Sequence, residues 1–251
     1  EALAQRLEAE GVTAKPHGWM GNALVLSGTG NIEQLPSFRE GLFYVQDTAA
    51  KLSVLCAQIP ENSHVLDCCA APGGKSFAAA MAMQGSGSII SCDFYAHKAE
   101  LIAGGAKRLG LTNITARQQD ATVHVRDWED KMDALICDVP CSGYGIIRKK
   151  PDIRYKDPDT MKDLPQLQLQ ILCNQATYVR PGGVLLYSTC TLVRSENEGV
   201  VEAFLEKFPN YCLEPLPLPE IFPKNESGML ALVPGEYDTD GFFIARLRRK
   251  V

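Results

Sequence analysis

Residues 67–76 read DCCAAPGGKS, a glycine-rich loop ending in Gly74-Lys75-Ser76, and how this loop is read decides the fold. A phosphate-binding loop has the form G-x-x-x-x-G-K-[ST], with backbone N–H groups cradling phosphate. Here Cys69 takes the first glycine position. Pro72 also removes an N–H from a loop that would need to donate such groups. The competing reading is the first strand–loop–helix turn of a doubly wound sheet, where glycines let the backbone approach a nucleoside cofactor.

The flanking residues favour the second reading. HVLDCC (64–69) is a short apolar strand, followed after the loop by the helical pattern KSFAAAMAMQG. SIISCD (88–93) is a second strand, followed by the helical HKAELIAGGAKRLG. ITARQQD (114–120) and DALICD (133–138) are further strands. The helical stretch LPQLQLQILCNQATYV is expected to stop at Arg180-Pro181-Gly182-Gly183, with GVLLYSTC (183–190) as the next strand. Ser195-Glu196-Asn197-Glu198 reads as a capping box opening the helix VVEAFLEKF. DGFFIARLR (240–248) is a last strand behind an Asp-Gly turn, after a stretch (213–236) with five prolines. Strands alternating with helices predict an α/β fold with a mostly parallel, doubly wound sheet. Residues 1–40 break this rhythm and read as a small N-terminal α+β appendage, with a helix at 1–10 and a strand at ALVLSG. Residues 41–251 form the main domain.

Composition bounds the rest. The chain has 251 residues, a net charge of -5 and 45% hydrophobic residues, ordinary values for a globular protein. Apolar runs fall short of the ~18 residues of a membrane span, and the charged start EALAQRLEAEGV is unlike a signal peptide. Nine cysteines, an odd number, predict free thiols in the reducing cytoplasm. No metal site is expected. Cys68 and Cys69 are adjacent, Cys137 and Cys141 lack a matching second pair, and the four His are scattered. The acidic balance speaks against a nucleic-acid partner, but Arg148, Lys149, Lys150, Arg154 and Lys156 form a local basic run, and Arg246, Arg248, Arg249 and Lys250 crowd the end. Taken alone, either run reads as solvated surface charge.

Three strand ends carry acids: Asp93, Asp120 and Asp138. Asp93 lies about twenty residues after Gly73, where a doubly wound fold places the acid that binds ribose hydroxyls. Acids at three ends suit a ligand with hydroxyls, an amine and a cationic centre, such as S-adenosylmethionine, and would repel a triphosphate unless Mg²⁺ intervened. Two thiols follow strands at the same edge, in DVPCSGYG (138–145) and YSTC (187–190). Cys56, Cys68, Cys92, Cys137, Cys173 and Cys212 read as core residues.

With these motifs in view, the chain resembles the RNA cytosine-5 methyltransferases of the Sun/Nol1/Nop2 group, most closely its bacterial Sun (RsmB) type. The resemblance rests on Phe43, Gln46 and Asp47, the loop Cys69-Ala70-Ala71-Pro72-Gly73-Gly74-Lys75, and Asp138-x-Pro140-Cys141-Ser142-Gly143. It continues through Arg148, Pro151-Asp152, Ser188-Thr189-Cys190, Glu196-Asn197-Glu198 and Asp240-Gly241-Phe242-Phe243. The joint order of these motifs is specific and spans nearly the whole chain. Arg194 departs from it, standing where many relatives have Pro, and the all-helical RNA-binding domain common at the front of Sun-type proteins is not among these residues.

The resemblance implies a Rossmann-like class I methyltransferase fold, S-adenosylmethionine as cofactor, and RNA, the 16S rRNA of the small subunit, as partner. It implies that Cys190 adds to carbon 6 of the cytosine and that Cys141 serves release of the carbon 5 proton. Asp138 would meet N3 of the ring and must carry a proton to donate one there. Lys75 either pairs with Asp138 or steers the substrate. The loop Cys69, Ala70, Ala71, Pro72, Gly73, Gly74 and Lys75 would hold the methionine end, Asp93 the ribose and Asp120 the adenine amine. Arg148, Lys149, Lys150 and Arg154 gain a role as RNA-backbone contacts. Two rivals stay open: a P-loop-like nucleotide hydrolase, and a non-catalytic RNA-binding assembly factor on the same scaffold.

Overall fold

A computed structural model describes residues 1–251, apart from the side chains of Pro158 and Thr160. The chain opens with α1 (Ala2–Ala9), then β1 (Thr13–Pro16) and β2 (Leu24–Ser27), which pair antiparallel with each other and not with the main sheet. Leu7, Val12, Ala14 and Leu35 form a small cluster beneath them. The expected strand at ALVLSG is β2. Its partner β1, with only Ala14 buried, carried no alternation that sequence reading could use. α2 (Pro36–Arg39) and α3 (Thr48–Cys56) follow. Asp47 caps α3, its carboxylate accepting from the Ala49 N–H at 2.9 Å.

The α/β rhythm then follows: β3 (His64–Asp67), α4 (Gly74–Ala82), β4 (Ser88–Asp93), α5 (Ala96–Arg108), β5 (Ile114–Gln118), β6 (Met132–Asp138), α6 (Leu164–Ala176), β7 (Val179–Thr189), α7 (Glu198–Lys207), β8 (Tyr211–Leu213), β9 (Met229–Leu232) and β10 (Phe242–Arg249), of which the short β8 and β9, around the proline-containing stretch, were not expected from the sequence. The strand order is β5-β4-β3-β6-β7-β10-β8, with β9 also on β10. β3 through β7 pair in parallel, and β10 is antiparallel to β7, β8 and β9. The chain winds one way from β3 to β5 and the other way from β6 onward. This reversal opens a crevice at the carboxyl ends of β3 and β6, where such sheets bind ligands.

Both faces are covered, as a parallel sheet requires. Because side chains alternate along a strand, Leu66, Leu135, Cys137, Leu185 and Tyr187 point to one face, against Ile171 and Leu172 of α6 and Phe204 of α7. Val65, Ala134, Ile136, Val184 and Leu186 point to the other, against Leu52 of α3 and Ala79 of α4.

Three local readings are corrected. α6 ends at Ala176, and Arg180-Pro181-Gly182-Gly183 is no helix stop but an insertion inside β7. Met132 pairs with Val179 while Ala134 already pairs with Val184, so Pro181, which lacks an N–H for a ladder, sits in the bulge. The capping box does not form. Arg194–Glu196 make a 3-10 turn, and α7 starts at Glu198 without a side-chain cap, because Glu196 and Asn197 turn inward to the loops before them. Cys173 and Cys212 are half-buried rather than core, Cys212 lying on the edge strand β8, whereas Cys56, Cys68, Cys92 and Cys137 are buried. Among the described residues no helix is long and apolar enough to cross a membrane, and no group of His, Cys, Asp or Glu is placed to hold a metal.

Candidate active site

β3 delivers the glycine loop to the crevice. The chain leaves the strand at Asp67 and enters α4 through Gly73, whose φ of 112° lies in the left-handed region that favours glycine. Ser76, in the first turn of α4, is fully buried and donates to Asp67 Oδ2 at 2.7 Å. The hydroxyl that would bind magnesium in a phosphate-binding loop is therefore turned into the core. Ser91 of β4 donates in turn to Ser76 Oγ at 2.7 Å, so a buried polar chain ties the loop to two strands. Burial pushes the Asp67 carboxyl up to about 7, since taking a charge out of water favours its neutral form.

Lys75 points the opposite way, toward β6. Its Nζ donates to Asp138 Oδ2 at 2.7 Å, and Ser188 of β7 donates to Asp138 Oδ1 at 2.8 Å. Lys75 thus pairs with Asp138. Both oxygens of the Asp138 carboxylate are therefore engaged, one by Lys75 and one by Ser188.

The two thiols following β6 and β7 come together. Cys141 Sγ and Cys190 Sγ are 3.3 Å apart, both half-buried. Residues 49 positions apart meet because β6 and β7 are parallel neighbours in register, Asp138 opposite Ser188, and their loops leave the same edge. The pair titrates as one unit. The hydrogen bond with Cys141 holds the Cys190 thiol below its ordinary range, against burial and Asp138, and the nearby Lys75 charge helps. Cys141 is pushed well up by the same hydrogen bond and by burial. The contact thus sets the two thiols apart, Cys190 lowered and Cys141 raised. The core thiols behave otherwise: burial pushes Cys56 and Cys92 up to about 12.

The other strand ends complete the edge. Asp93 Oδ1 accepts from the Tyr95 N–H at 3.1 Å, and Asp120 Oδ1 accepts from the Thr122 N–H at 2.8 Å and its hydroxyl at 2.7 Å. Among the described residues the second oxygen of each carboxylate takes no hydrogen bond from the chain. Such acceptors, flanking a glycine turn, fit the hydroxyls and amine of a nucleoside cofactor.

The basic run is not one stripe. Lys149 is held by two carboxylates, Asp47 at 2.8 Å and Asp240 at 2.7 Å. Arg148 lies 3.3 Å from Asp238, and Lys156 donates to the Ser142 carbonyl at 2.9 Å. The Arg154 guanidinium stands 4.9 Å over the ring of the exposed Tyr155, and Lys150 is exposed. The C-terminal run is structural rather than free surface charge: Arg246 and Arg248 share Glu214, Arg249 pairs with Asp130, and Lys250 donates to the Pro209 carbonyl.

Sequence reasoning assigned no role to the residues beneath the thiols: Ser142, Ser188, Glu196 and Asn197 entered only as motif members, and Gln168 and Thr191 were not singled out. Ser142, Gln168, Ser188, Thr191, Glu196 and Asn197 are all buried. One signal was present: Gln168 lies three and four positions before Ile171 and Leu172, on the apolar face of α6.

Comparison with known proteins agrees with this geometry. The family model described as 16S rRNA methyltransferase RsmB/F matches residues 54–248. The chain is 38% identical to the Probable ribosomal RNA small subunit methyltransferase B of Bacillus subtilis (strain 168), over 99% of this chain and 57% of that protein. It spans about half the length of the curated relatives it matches. A methyltransferase homolog protein from Pyrococcus horikoshii superposes with a TM-score of 0.82 at 28% identity, covering 100% of this chain and 82% of that one. NSun6 from the same organism, solved with the S-adenosylmethionine analogue SFG, superposes with a TM-score of 0.75 at 28% identity, covering 86% of this chain and 56% of its own.

Proposed function

The chain belongs to the RsmB/F family of 16S rRNA methyltransferases, and we propose that it transfers a methyl group from S-adenosylmethionine to carbon 5 of a cytosine in 16S rRNA, through a covalent bond from Cys190 to carbon 6. The observation that carries this reading is the sulfur pair, 3.3 Å apart beside the Lys75–Asp138 ion pair at the mouth of the crevice. S-adenosylmethionine supplies an electrophilic methyl on a sulfonium centre. The loop from Cys69 to Lys75 holds its methionine end, Asp93 its ribose and Asp120 its adenine amine.

Carbon 5 of cytosine is a weak nucleophile. The Cys190 thiolate adds to carbon 6, and the ring electrons move toward N3 and carbon 5. The Lys75–Asp138 pair faces N3, with the ammonium as proton source, and the enamine-like carbon 5 then takes the methyl. Once Cys190 is bonded to carbon, its sulfur no longer draws the Cys141 hydrogen bond. The main cause of the raised Cys141 pKa is then gone, and its sulfur can serve release of the carbon 5 proton, directly or through water. Loss of that proton, with return of the N3 proton to the Lys75–Asp138 pair, re-forms the double bond and expels the Cys190 thiolate. The base must leave its stack or lie in a single-stranded loop to reach this pocket. Arg148, Lys150 and Arg154 contact the RNA backbone, and the enzyme works in the cytoplasm. Residues 1–40 are the appendage, and residues 41–251 carry the catalysis.

The test pairs two variants with a 16S rRNA transcript and the methyl donor. Cys190→Ala is expected to give no methylation and no covalent RNA adduct. Cys141→Ala is expected to accumulate adduct visible on a denaturing gel. Adduct in the Cys190 variant alone reverses the two roles. Unchanged bisulfite maps of 16S rRNA from cells lacking the gene remove this substrate.

A further inference from the structure

Cys141 and Cys190 sit on separate loops, so their 3.3 Å separation has to be set by what lies beneath them. We propose that Glu196 and Asn197 are positioning residues that together set the distance between the two sulfurs. The inference rests on the assignment of those sulfurs to attack and release.

The two residues are neighbours in sequence, and each takes hold of one loop. Glu196 Oε2 accepts from the Ser142 N–H at 2.9 Å, directly after Cys141, and from Gln168 Nε2 at 2.9 Å. Gln168 also donates to the Pro140 carbonyl at 2.9 Å, directly before Cys141. Asn197 Oδ1 accepts from Thr189 Oγ1 at 2.6 Å, and its Nδ2 donates to the Thr191 carbonyl at 3.0 Å. Asn197 thus holds the residues on both sides of Cys190. A bond between the Ser142 and Thr191 hydroxyls, 2.8 Å, joins the two loops directly. The backbone at this point is itself anchored, Tyr187 Oη donating to the Glu196 carbonyl at 2.6 Å.

Glu196 is 3% exposed and Asn197 1% exposed, and neither is partnered as a surface helix start would be. Buried polar groups persist only where they are satisfied, and a satisfied network specifies one arrangement. One peptide unit therefore carries both grips, and the offset between its two side chains becomes the offset between the two thiols. Neither residue reaches the reacting sulfurs, so both act through the loops.

The test reads the sulfur separation without RNA or methyl donor. Dibromobimane bridges thiols a few ångström apart and fluoresces when both ends react, and peptide mass mapping separates the Cys141–Cys190 product from any other pair. In wild type this product should form readily. Glu196→Ala should lose it and should lower kcat on a 16S rRNA transcript on the order of 100-fold, with KM and S-adenosylhomocysteine affinity by calorimetry held. Glu196→Gln keeps an acceptor oxygen and should restore both bridging and kcat. Asn197→Asp, which places an oxygen against the Thr191 carbonyl, should lose bridging from the Cys190 side and serves if the alanine variant does not fold. Wild-type bridging in Glu196→Ala and Asn197→Asp overturns the proposal. So does a Gln variant no better than Ala, or a loss of turnover matched by loss of cofactor affinity. If wild type bridges, Glu196→Ala does not, and no cytosine is methylated by wild type, the positioning stands and the functional reading falls.

Discussion

At the scale of single residues, this protein separates nine similar thiols by environment. The Cys190 thiol owes its lowered pKa first to the Cys141 hydrogen bond and then to the Lys75 charge, opposed by burial and Asp138. Removing the donor by Cys141→Ala should therefore move the iodoacetamide alkylation profile of Cys190 to higher pH. Lys75→Met should move it in the same direction. Peptide mass spectrometry across a pH series measures both. Asp67 offers a second readout. Its folded carboxyl is pushed up to about 7 by burial, whereas an unfolded Asp titrates near ~3.9. Between those values the folded state binds more protons. Its stability contribution is thus fully present below the unfolded value and lost as pH rises through about 7. Urea denaturation should show stability falling across that window by up to roughly 4 kcal/mol, and Asp67→Asn should flatten the dependence.

At the scale of elements, the site depends on how closely the loops after β6 and β7 lie against the start of β10. The Gly145 N–H donates to the Cys190 carbonyl at 2.9 Å, and the Gly241 N–H to the Gly145 carbonyl at 2.9 Å. A Cβ on Gly145 would lie 2.0 Å from the Gly241 oxygen and 2.8 Å from the Cys190 oxygen, all backbone, so nothing there can swing aside. Gly145→Ala should destabilise by about 1–3 kcal/mol through overpacking, seen by thermal denaturation. It should lower kcat by more than that loss of stability explains, because the displaced backbone carries Cys190. The absent capping box belongs to this scale as well. Ser195 to Glu198 fit the pattern by residue type, but α7 was left to start uncapped while the adjacent carboxylate and amide satisfied loops ahead of it.

At the scale of the whole molecule, the proposed function requires a chain of net charge -5 to meet RNA. Much of its positive charge is used internally: Lys75, Lys149, Arg246 and Arg248 each face a carboxylate. Lys150 and Arg154 are exposed, and under the proposed function they are left to meet the RNA backbone. In anisotropy titrations of a 16S rRNA fragment against salt, Lys150→Ala and Arg154→Ala should each weaken binding and reduce the salt slope by about 1. Lys149→Ala should leave the slope unchanged and instead lower stability, since Asp47 and Asp240 lose the charge between them. A reduced slope in Lys149→Ala would assign that residue to the RNA instead.

Sequence by itself determined the sheet, its cofactor turn and the acids at its strand ends. These are written in local periodicity and in residues next to one another, such as Gly73-Gly74-Lys75 and the terminal Asp of SIISCD. It also singled out Cys141 and Cys190, because each lies within three residues of the end of a strand. Only the tertiary structure decided what those groups do to each other. The sulfur contact, the Lys75–Asp138 pair and the committed Lys149 each join residues 49 or more positions apart, and no local pattern encodes such a meeting. Glu196 and Asn197 were misread for the same reason. A polar pair before a helix looks like a cap until the fold brings two loops beneath it, and burial then makes every unsatisfied group in those loops costly enough to claim it.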